Sequence, residues 1–302
     1  MQDKPLEIRH LVKDYGKVKA VQDVSFHLEP GEVFGLLGPN GAGKTSLIST
    51  IVTLEKPTSG QVLVYGFDVT RQPSEAKKCV GFVPQEIVHH GFFNVEEIMR
   101  FYSGYFGYWN NQKRIEELLK KLSLWPHRHK KVRQLSGGMK RRLLIAKALS
   151  HNPKLILLDE PTAGVDVELR DQLWELIREL QKEGITILLT THYLEEAEAL
   201  CQRVGIIHKG KLLALGPTQE LIEKFTQREI HICTKEPKSA ITHPLLISQE
   251  GNRLIFRIPS HQTVGEILKS LQISLDDVVD LQTKEGSLEQ AFRRVIGEEL
   301  SC

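Results

Sequence analysis

The chain has 302 residues, which is longer than one typical compact domain, so we expect one large domain and a smaller second one. Charged residues make up 26% of the chain and its formal net charge is +2, which excludes a field strong enough to make nucleic acid or acidic lipid the main partner. The four cysteines, Cys79, Cys201, Cys233 and Cys302, lie far apart without a CxxC pair, so we expect ordinary reduced thiols rather than a metal site.

We expect no export signal at the N-terminus. Residues Met1 to Glu7 are charged where a signal peptide is apolar, and no stretch of the chain approaches the roughly 18 consecutive apolar residues that a membrane span needs. We therefore expect a cytoplasmic protein, for which any role at a membrane comes through another chain.

Three short apolar runs predict a central parallel sheet. Val33 to Leu37, Leu155 to Leu158 and Ile185 to Leu189 are bounded by glycine or polar residues and lack alternation, as is typical of strands buried on both faces. Between the last two runs, Val167 to Lys182 carries leucine and isoleucine at helical spacing. Strand, helix and strand in this order predict an α/β fold.

The segment from about 86 to 150 differs from its surroundings, because its patterns are helical and no convincing strand interrupts them. We interpret it as a helical subdomain inserted in an α/β domain of residues 1–225. Its predicted helices are Val95 to Tyr105, Gln112 to Leu122 and Met139 to Leu149.

Residues 226–302 show a new alternation of strand and helix patterns and predict a small α+β accessory domain. Its predicted strands are Ile230 to Thr234, Arg253 to Ile258 and Val278 to Thr283, and its predicted helices are Val264 to Leu271 and Ser287 to Ile296.

A glycine-rich loop follows the first buried strand, Glu32 to Leu37, and precedes a predicted helix from Ser46 to Val52. This context predicts a phosphate-binding loop, in which glycines let backbone N–H groups converge on phosphates at a helix N-terminus. Lys44 would neutralise the β- and γ-phosphates of ATP, and the Thr45 hydroxyl would bind Mg²⁺. The predicted nucleotide-binding residues of this loop are Gly38, Pro39, Asn40, Gly41, Ala42, Gly43, Lys44, Thr45 and Ser46.

Polar residues end the other two buried strands. Asp159 ends the second strand and is predicted to hold Mg²⁺, while Glu160 follows it as the general base for the attacking water. His192 ends the third strand, where its imidazole can hydrogen-bond the γ-phosphate. The alternatives are acids that face solvent and a histidine with a purely structural hydrogen bond. We expect all three beside Lys44, because the carboxyl ends of parallel strands meet at one edge.

A second anion-binding helix terminus is predicted where Ser136, Gly137 and Gly138 open the helix Met139 to Leu149. One nucleotide rarely needs two such ends from one molecule. Together with the motifs above, the sequence resembles the nucleotide-binding subunits of ABC transporters, in which this signature turn closes over the ATP held by a partner subunit. The resemblance extends from Leu6 to about Glu223.

Three further residues match motifs of that family. Tyr15 is similar to the aromatic residue that stacks on adenine, and Gln85 is similar to the glutamine that senses Mg²⁺ and the transmembrane partner. Asp166 lies in a segment similar to the loop that joins the two subunits. Each has an alternative: Tyr15 as a surface aromatic, Gln85 as a plain loop residue, and Asp166 as the N-cap of the following helix.

Two departures from the commonest family pattern indicate one particular branch of the family. Met139 stands where the signature usually has glutamine, and Ala163 to Asp166 reads Ala-Gly-Val-Asp instead of Ser-Ala-Leu-Asp. With Lys140-Arg141-Arg142, these variants resemble the drug-resistance branch of ABC exporters, in which ATPase and membrane subunits are separate chains. The ending Ser287 to Phe292 is also common there.

The resemblance implies an ATPase that uses ATP and Mg²⁺, forms a head-to-tail dimer with a second copy, and drives a separate transmembrane permease from the cytoplasmic face of the cell membrane.

A non-transport ABC protein would normally show a second cassette, a coiled-coil insertion or cysteine-rich modules. A simple phosphate-loop kinase would leave Ser136 and His192 without a role, and a regulatory ATP-binding module stays open. The basic run Pro126 to Arg133 lacks interleaved aromatics, so no nucleic-acid partner is expected.

Overall fold

The structure is a computed structural model that describes residues 4–86, 91–237, 241, 243–258, 263–270 and 274–300. Five residues used in the sequence analysis, Met1, Gln2, Asp3, Leu271 and Cys302, lie outside the described residues. The chain divides into two compact units, Met1–Leu215 and Gly216–Cys302. The domain boundary after residue 225 stays a prediction.

The described strands alternate with helices along most of the chain. The strands are β1 (Leu6–Asp14), β2 (Lys19–Leu28), β3 (Val33–Leu37), β4 (Ser59–Val64), β5 (Phe67–Asp68), β6 (Val80–Val83), β7 (Leu155–Asp159), β8 (Thr186–Thr191), β9 (Arg203–His208), β10 (Lys211–Pro217), β11 (Arg228–Thr234), β12 (Leu246–Glu250), β13 (Arg253–Ile258) and β14 (Val278–Lys284). The α-helices are α1 (Lys44–Ile51), α2 (Pro73–Cys79), α3 (Val95–Tyr105), α4 (Gln112–Lys121), α5 (Gly137–Leu149), α6 (Val167–Lys182), α7 (Leu194–Leu200), α8 (Thr218–Phe225), α9 (Val264–Ser270) and α10 (Leu288–Leu300).

A six-stranded sheet forms the centre of the first unit, in the order β10-β9-β3-β8-β7-β6. The pairs of β3 with β8, β3 with β9, β7 with β8 and β6 with β7 are all parallel. Every residue of β3, β7 and β8 is buried, which explains their uninterrupted apolar sequences. The α/β fold prediction is thereby confirmed.

A second, four-stranded sheet of the first unit, in the order β2-β1-β4-β5, was not predicted from the sequence. Its pairs are antiparallel, and its inward residues share one hydrophobic core with the central sheet. Phe26 of β2 stacks on Phe34 of β3 with ring centroids 5.1 Å apart. This sheet therefore braces the strand that leads into the glycine-rich loop.

The segment between β6 and β7 is helical in the described residues, with α3, α4 and α5 as its helices. A capping box begins α3: the Asn94 side chain accepts a hydrogen bond from the Glu97 N–H, and the Glu97 carboxylate accepts one from the Asn94 N–H. The amphipathic patterns predicted these helices to within two residues at each end.

The second unit contains the antiparallel sheet β12-β13-β11-β14. Alternate residues of β11 and β13 are buried, and Ile230, Ile232 and Phe256 form its core with Ile267 of α9. This alternation is typical of strands with one buried face, and with α9 packed on that face the unit has the predicted α+β character. No helix in the described part of the chain is long and apolar enough to cross a membrane.

Candidate functional site

The candidate site lies at the carboxyl edge of the central sheet. β3 leads into the glycine-rich loop and α1, β7 ends at Asp159, and β8 ends at Thr191. Because these three strands are parallel neighbours, the residues that follow them lie at one edge. The structure brings four predicted side chains into direct contact there: Lys44, Gln85, Glu160 and His192.

The glycine-rich loop takes a path that only glycine permits at two points. Gly43 has φ +106°, and a Cβ there would lie 2.1 Å from the Ala20 carbonyl oxygen. A Cβ on Gly38 would lie 2.4 Å from the Ile207 carbonyl oxygen. The loop is thus packed against β2 and β9, and it ends where α1 begins at Lys44. Glycines at close backbone approaches followed by a helix N-terminus are the features by which such loops bind phosphate in other proteins.

Lys44 is the buried cation of the site, with 5% of its surface exposed. Its ammonium donates to the carbonyl oxygens of Gly38 at 2.7 Å and Pro39 at 3.2 Å, and it lies 3.6 Å from Glu160 Oε1. Burial lowers the pKa of Lys44, while the nearby carboxylates of Glu160 and Asp159 oppose that shift. A cation held in a low-dielectric site attracts an anionic ligand strongly.

Glu160 connects the elements of the site. Its Oε2 accepts a hydrogen bond from Gln85 Nε2 at 2.9 Å and lies 3.1 Å from His192 Nδ1. The backbone of Glu160 is left-handed, with φ +46°, and its N–H donates to the Thr190 carbonyl at 3.0 Å. Such a conformation costs a non-glycine residue about 1 kcal/mol and persists where neighbours fix it, often at functional sites.

Asp159 precedes Glu160 and is also buried. Its Oδ1 accepts a hydrogen bond from the Thr190 hydroxyl. Burial raises the pKa of Asp159, and the Thr190 hydrogen bond and the positive charges of Lys44 and Arg141 act in the opposite direction. Two adjacent carboxyl groups and one buried ammonium therefore form the charged centre of the site.

The oxygen-bearing residues at this edge fit Mg²⁺ better than a transition metal. Thr45, Gln85 and Asp159 offer hydroxyl, amide and carboxylate oxygens, which are the donors that Mg²⁺ prefers. Within the described residues, no group of three or more His, Cys, Asp or Glu can hold a metal by itself. Mg²⁺ usually takes one or two protein ligands and completes its shell with phosphate oxygens and water, so this donor set is compatible with a metal that arrives with a nucleotide.

The signature turn lines a neighbouring cavity of the same unit, whose described lining does not include Lys44. Ser136 caps α5, its hydroxyl accepting a hydrogen bond from the Met139 N–H at 3.3 Å. Asp166 caps α6 in the same way, with Leu169 N–H as the donor at 2.8 Å. Ser136, Gly137, Gly138 and Asp166 line a cavity of about 450 Å³ together with Gln85. No described hydrogen bond or ion pair joins Ser136 to Lys44.

Tyr15 lies in the turn between β1 and β2 and is 50% exposed. The Lys13 ammonium lies 4.7 Å from the centre of its ring. A few residues later, the Ala20 carbonyl contacts Gly43 of the glycine-rich loop. The turn is therefore connected to the loop through β2, while both the adenine-stacking role and its surface alternative stay predictions.

One buried residue of the site was not assigned a role from the sequence. Arg141 of α5 is 2% exposed, and its guanidinium donates to four backbone carbonyls, those of Pro84, Gln85, Glu160 and Pro161. A signal was present: Arg141 lies three and four residues before Leu144 and Ile145, the spacing at which helical side chains are neighbours, in a helix that is buried from Leu143 to Leu149. The sequence analysis used it only as a branch marker.

An apolar groove of about 360 Å³ lies between α1, β6, α3 and α5. Its lining includes Ile51, Phe82, Tyr102, Phe106, Leu144 and His151. Tyr105, in the wall of the groove, is 73% exposed, and Trp109, four residues later in the chain, is 82% exposed. Exposed aromatics around an apolar groove are typical of a protein-binding surface.

Comparisons with known proteins agree on one family. Residues 21–163 match the ABC transporter family model. The chain is 33% identical to the linearmycin resistance ATP-binding protein LnrL of Bacillus subtilis (strain 168), over 98% of this chain and 99% of that protein. It is 42% identical to the Nod factor export ATP-binding protein I of Burkholderia thailandensis, over 72% of this chain and 73% of that protein.

Solved structures give the same result. One described as the ATP-binding subunit of an ABC transporter has a TM-score of 0.67 and 29% identity, and the match covers 73% of this chain and 92% of that one. A dimeric ATP-binding cassette in a post-hydrolysis state, bound to ADP and Pi, has a TM-score of 0.63 and 26% identity, over 70% and 98% of the two chains. The chain is an ATP-binding, ATP-hydrolysing subunit of the ABC transporter family.

Proposed function

We propose that this chain hydrolyses ATP with Mg²⁺ as a head-to-tail dimer, and that it drives export through a separate permease from the cytoplasmic face of the cell membrane. The observation that carries the proposal is the contact of Glu160 with Lys44, Gln85 and His192 at the carboxyl edge of the sheet. These are a base, a phosphate-neutralising cation and two hydrogen-bonding side chains, which together suit phosphoryl transfer to water.

Each residue has a distinct chemical task. Lys44 binds the β- and γ-phosphates through its ammonium, and the loop from Gly38 to Ser46 encloses them with backbone N–H groups. Glu160 accepts a proton from the attacking water, and His192 hydrogen-bonds the γ-phosphate. Gln85 orients the Glu160 carboxylate through their hydrogen bond. Thr45 and Asp159, with Gln85 nearby, would hold Mg²⁺, which would supply positive charge to the phosphates.

A second copy of the chain supplies the other wall of each ATP site. The Ser136 turn exposes a helix N-terminus, which favours anions, on a cavity that does not include Lys44. In a head-to-tail dimer, the Ser136 turn of one subunit faces the nucleotide on Lys44 of its partner. Asp166 lines the same cavity, and we propose that it contacts the partner subunit. A dimeric cassette among the similar structures supports this arrangement.

The permease binds the apolar groove between α1, β6, α3 and α5. Its aromatic lining suits an amphipathic helix, which is the common occupant of such grooves. Gln85 follows the end of β6 by two residues, and β6 lines the groove. A movement of this groove wall can therefore reach Glu160 through Gln85, whose side chain donates a hydrogen bond to the Glu160 carboxylate. The export direction rests on the relatives that are named for linearmycin resistance and Nod factor export.

The deciding experiment measures phosphate release from ATP by the purified chain, alone and in proteoliposomes with a candidate permease subunit. We expect Mg²⁺-dependent release that increases with the membrane partner. ATP binding without release under both conditions would instead favour a regulatory ATP-binding module.

A further inference from the structure

Arg141 holds together the three chain segments that build the catalytic edge. Its Nε donates to the Pro161 carbonyl at 2.7 Å and its Nη2 to the Glu160 carbonyl at 2.6 Å. Its Nη1 donates to the carbonyls of Pro84 at 3.0 Å and Gln85 at 2.8 Å. The side chain itself belongs to the helix that the signature turn opens, four residues after Gly137.

These four hydrogen bonds are unusual for a buried arginine, because every acceptor is a backbone carbonyl. Within the described residues, no carboxylate lies within ion-pair distance of the Arg141 guanidinium, although Asp159 and Glu196 are near enough to favour its charge. A planar fork with five donors can reach carbonyls in several directions at once, whereas a lysine ammonium places its donors at one point. The geometry is therefore specific to arginine.

The carbonyls of Gln85 and Glu160 are the two that matter for the reaction. The Gln85 side chain donates to the Glu160 carboxylate at 2.9 Å, and Arg141 binds the backbone oxygen of both residues. A closed ring of hydrogen bonds results, from Arg141 to Gln85, from Gln85 to Glu160, and back to Arg141. Arg141 thereby fixes the distance across which Gln85 reaches Glu160, and it restrains the left-handed Glu160 peptide.

We propose that Arg141 is a positioning residue that sets the orientation of the Glu160 carboxylate through Gln85 and ties that orientation to the helix carrying Ser136. Its described hydrogen bonds all go to backbone carbonyls outside the glycine-rich loop. A displacement of α5, on binding of a second copy or of the permease, pulls on the carbonyls of Gln85 and Glu160 together. The inference rests on the proposed role of Glu160 as the base.

The test compares Arg141→Lys with wild type in steady-state ATP hydrolysis and in ATP binding. Because Arg141 makes no contact with the glycine-rich loop among the described hydrogen bonds, we expect ATP affinity to stay within about twofold, while kcat falls at least about tenfold. The matched control is Arg203→Lys. Arg203 is a half-buried arginine at the start of β9, the end of the strand opposite the site, where it binds Glu32 and the His27 carbonyl. The Arg203→Lys variant should therefore keep the wild-type kcat.

A double-mutant cycle with Gln85→Ala separates positioning from general damage. If Arg141 acts through Gln85, then Arg141→Lys should lower kcat less than about threefold in the Gln85→Ala background. Arg141→Gln, which removes the charge but keeps an amide donor, goes through the same cycle, so that one misfolded variant does not decide the result. A wild-type kcat in either folded variant, or an equal loss with and without Gln85, overturns the proposal.

Glu160→Gln distinguishes this inference from the proposed function. If Glu160→Gln abolishes hydrolysis and Arg141→Lys does not, only the positioning role is wrong. If Glu160→Gln hydrolyses ATP normally, the assignment of the base is wrong and the role of Arg141 falls with it.

Discussion

The Lys44 ammonium and the Glu160 carboxylate lie 3.6 Å apart inside the protein, where 5% and 7% of the two side chains are exposed. Each therefore partly neutralises the other in a site of low dielectric. Removing one partner of a buried pair leaves the other uncompensated, which destabilises a protein by about 3–5 kcal/mol. Variants at either position therefore need a stability measurement beside the functional one.

Glu160→Gln removes the proposed base and keeps a side chain of the same shape. We expect hydrolysis to fall at least ~10²-fold, as is typical for loss of a general base, while ATP still binds. The ATP-loaded dimer should accumulate and be visible by gel filtration. Glu195→Gln, at an exposed acid of α7, is the matched control and should hydrolyse ATP normally. A turnover near that of wild type in Glu160→Gln would show that Glu160 is not the general base.

Lys44→Ala removes the cation of the glycine-rich loop. A triphosphate without this charge-assisted contact should bind much more weakly, so affinity is the first property to suffer. Titration with a fluorescent ATP analogue measures it. Lys78→Ala, on the exposed face of α2 where Lys78 pairs with Glu75, should bind the analogue like wild type. Equal affinity in Lys44→Ala would mean that the nucleotide binds elsewhere.

Mixing two inactive variants tests the shared site. Lys44→Ala and Ser136→Arg should each inactivate both sites of a homodimer, because every site then lacks one group. In a mixed dimer, one interface carries both defects and the other carries none. Random pairing should restore roughly a quarter of wild-type phosphate release if the sites act independently.

The mixing experiment is read over a range of ratios, with the membrane partner present if the isolated chain is inactive. Activity of either variant alone would contradict the shared site. Strict coupling between the two sites lowers the recovered activity, so an inactive mixture by itself is compatible with shared but obligatorily coupled sites.

His151 gives the first unit a pH-dependent stability. Its Nε2 lies 3.0 Å from the Val80 carbonyl, its ring stacks on Phe106, and burial lowers its pKa from 6.5 to about 4. The unfolded chain therefore binds a proton between these pH values that the folded chain does not, so stability falls as the pH drops from 6.5 towards 4. At pH 5 the loss should be about 2 kcal/mol relative to pH 7.5.

Urea unfolding at both pH values measures this effect. His151→Gln should show a loss smaller than that of wild type by about the same 2 kcal/mol, because glutamine does not titrate. His129→Gln, at an exposed histidine, is the control and should lose stability as wild type does. An identical pH dependence in wild type and His151→Gln would contradict the assignment.

The sequence was sufficient for three strands of the central sheet, β3, β7 and β8, and insufficient for the N-terminal sheet. Strands β3, β7 and β8 are unbroken apolar runs because they are buried on both faces. In β1 the buried positions change phase at His10, which has φ +49° and sits at a register shift between Ile8 and Leu11. A β-bulge of this kind interrupts the alternation by which a half-buried strand is recognised.

Within the site, side chains at the ends of strands could be predicted because parallel strands end together. The contacts of Lys44, Glu160 and His192 follow from that rule. Arg141 could not be assigned in this way, because its partners are backbone carbonyls, and every residue of a chain carries one. Such an interaction becomes visible only in three dimensions.

The order of strands in the central sheet determines when the site can form during synthesis. β3 is the first strand of that sheet to leave the ribosome, yet its two neighbours are β8 and β9, which follow about 150 residues later. At a synthesis rate of about 5–20 residues per second, both edges of β3 stay unpaired for roughly 8–30 s. The glycine-rich loop is therefore among the first parts of the site to be translated, but the strand that carries it is among the last to be paired. Truncated chains that end before β8 should expose an open strand edge that is prone to aggregation.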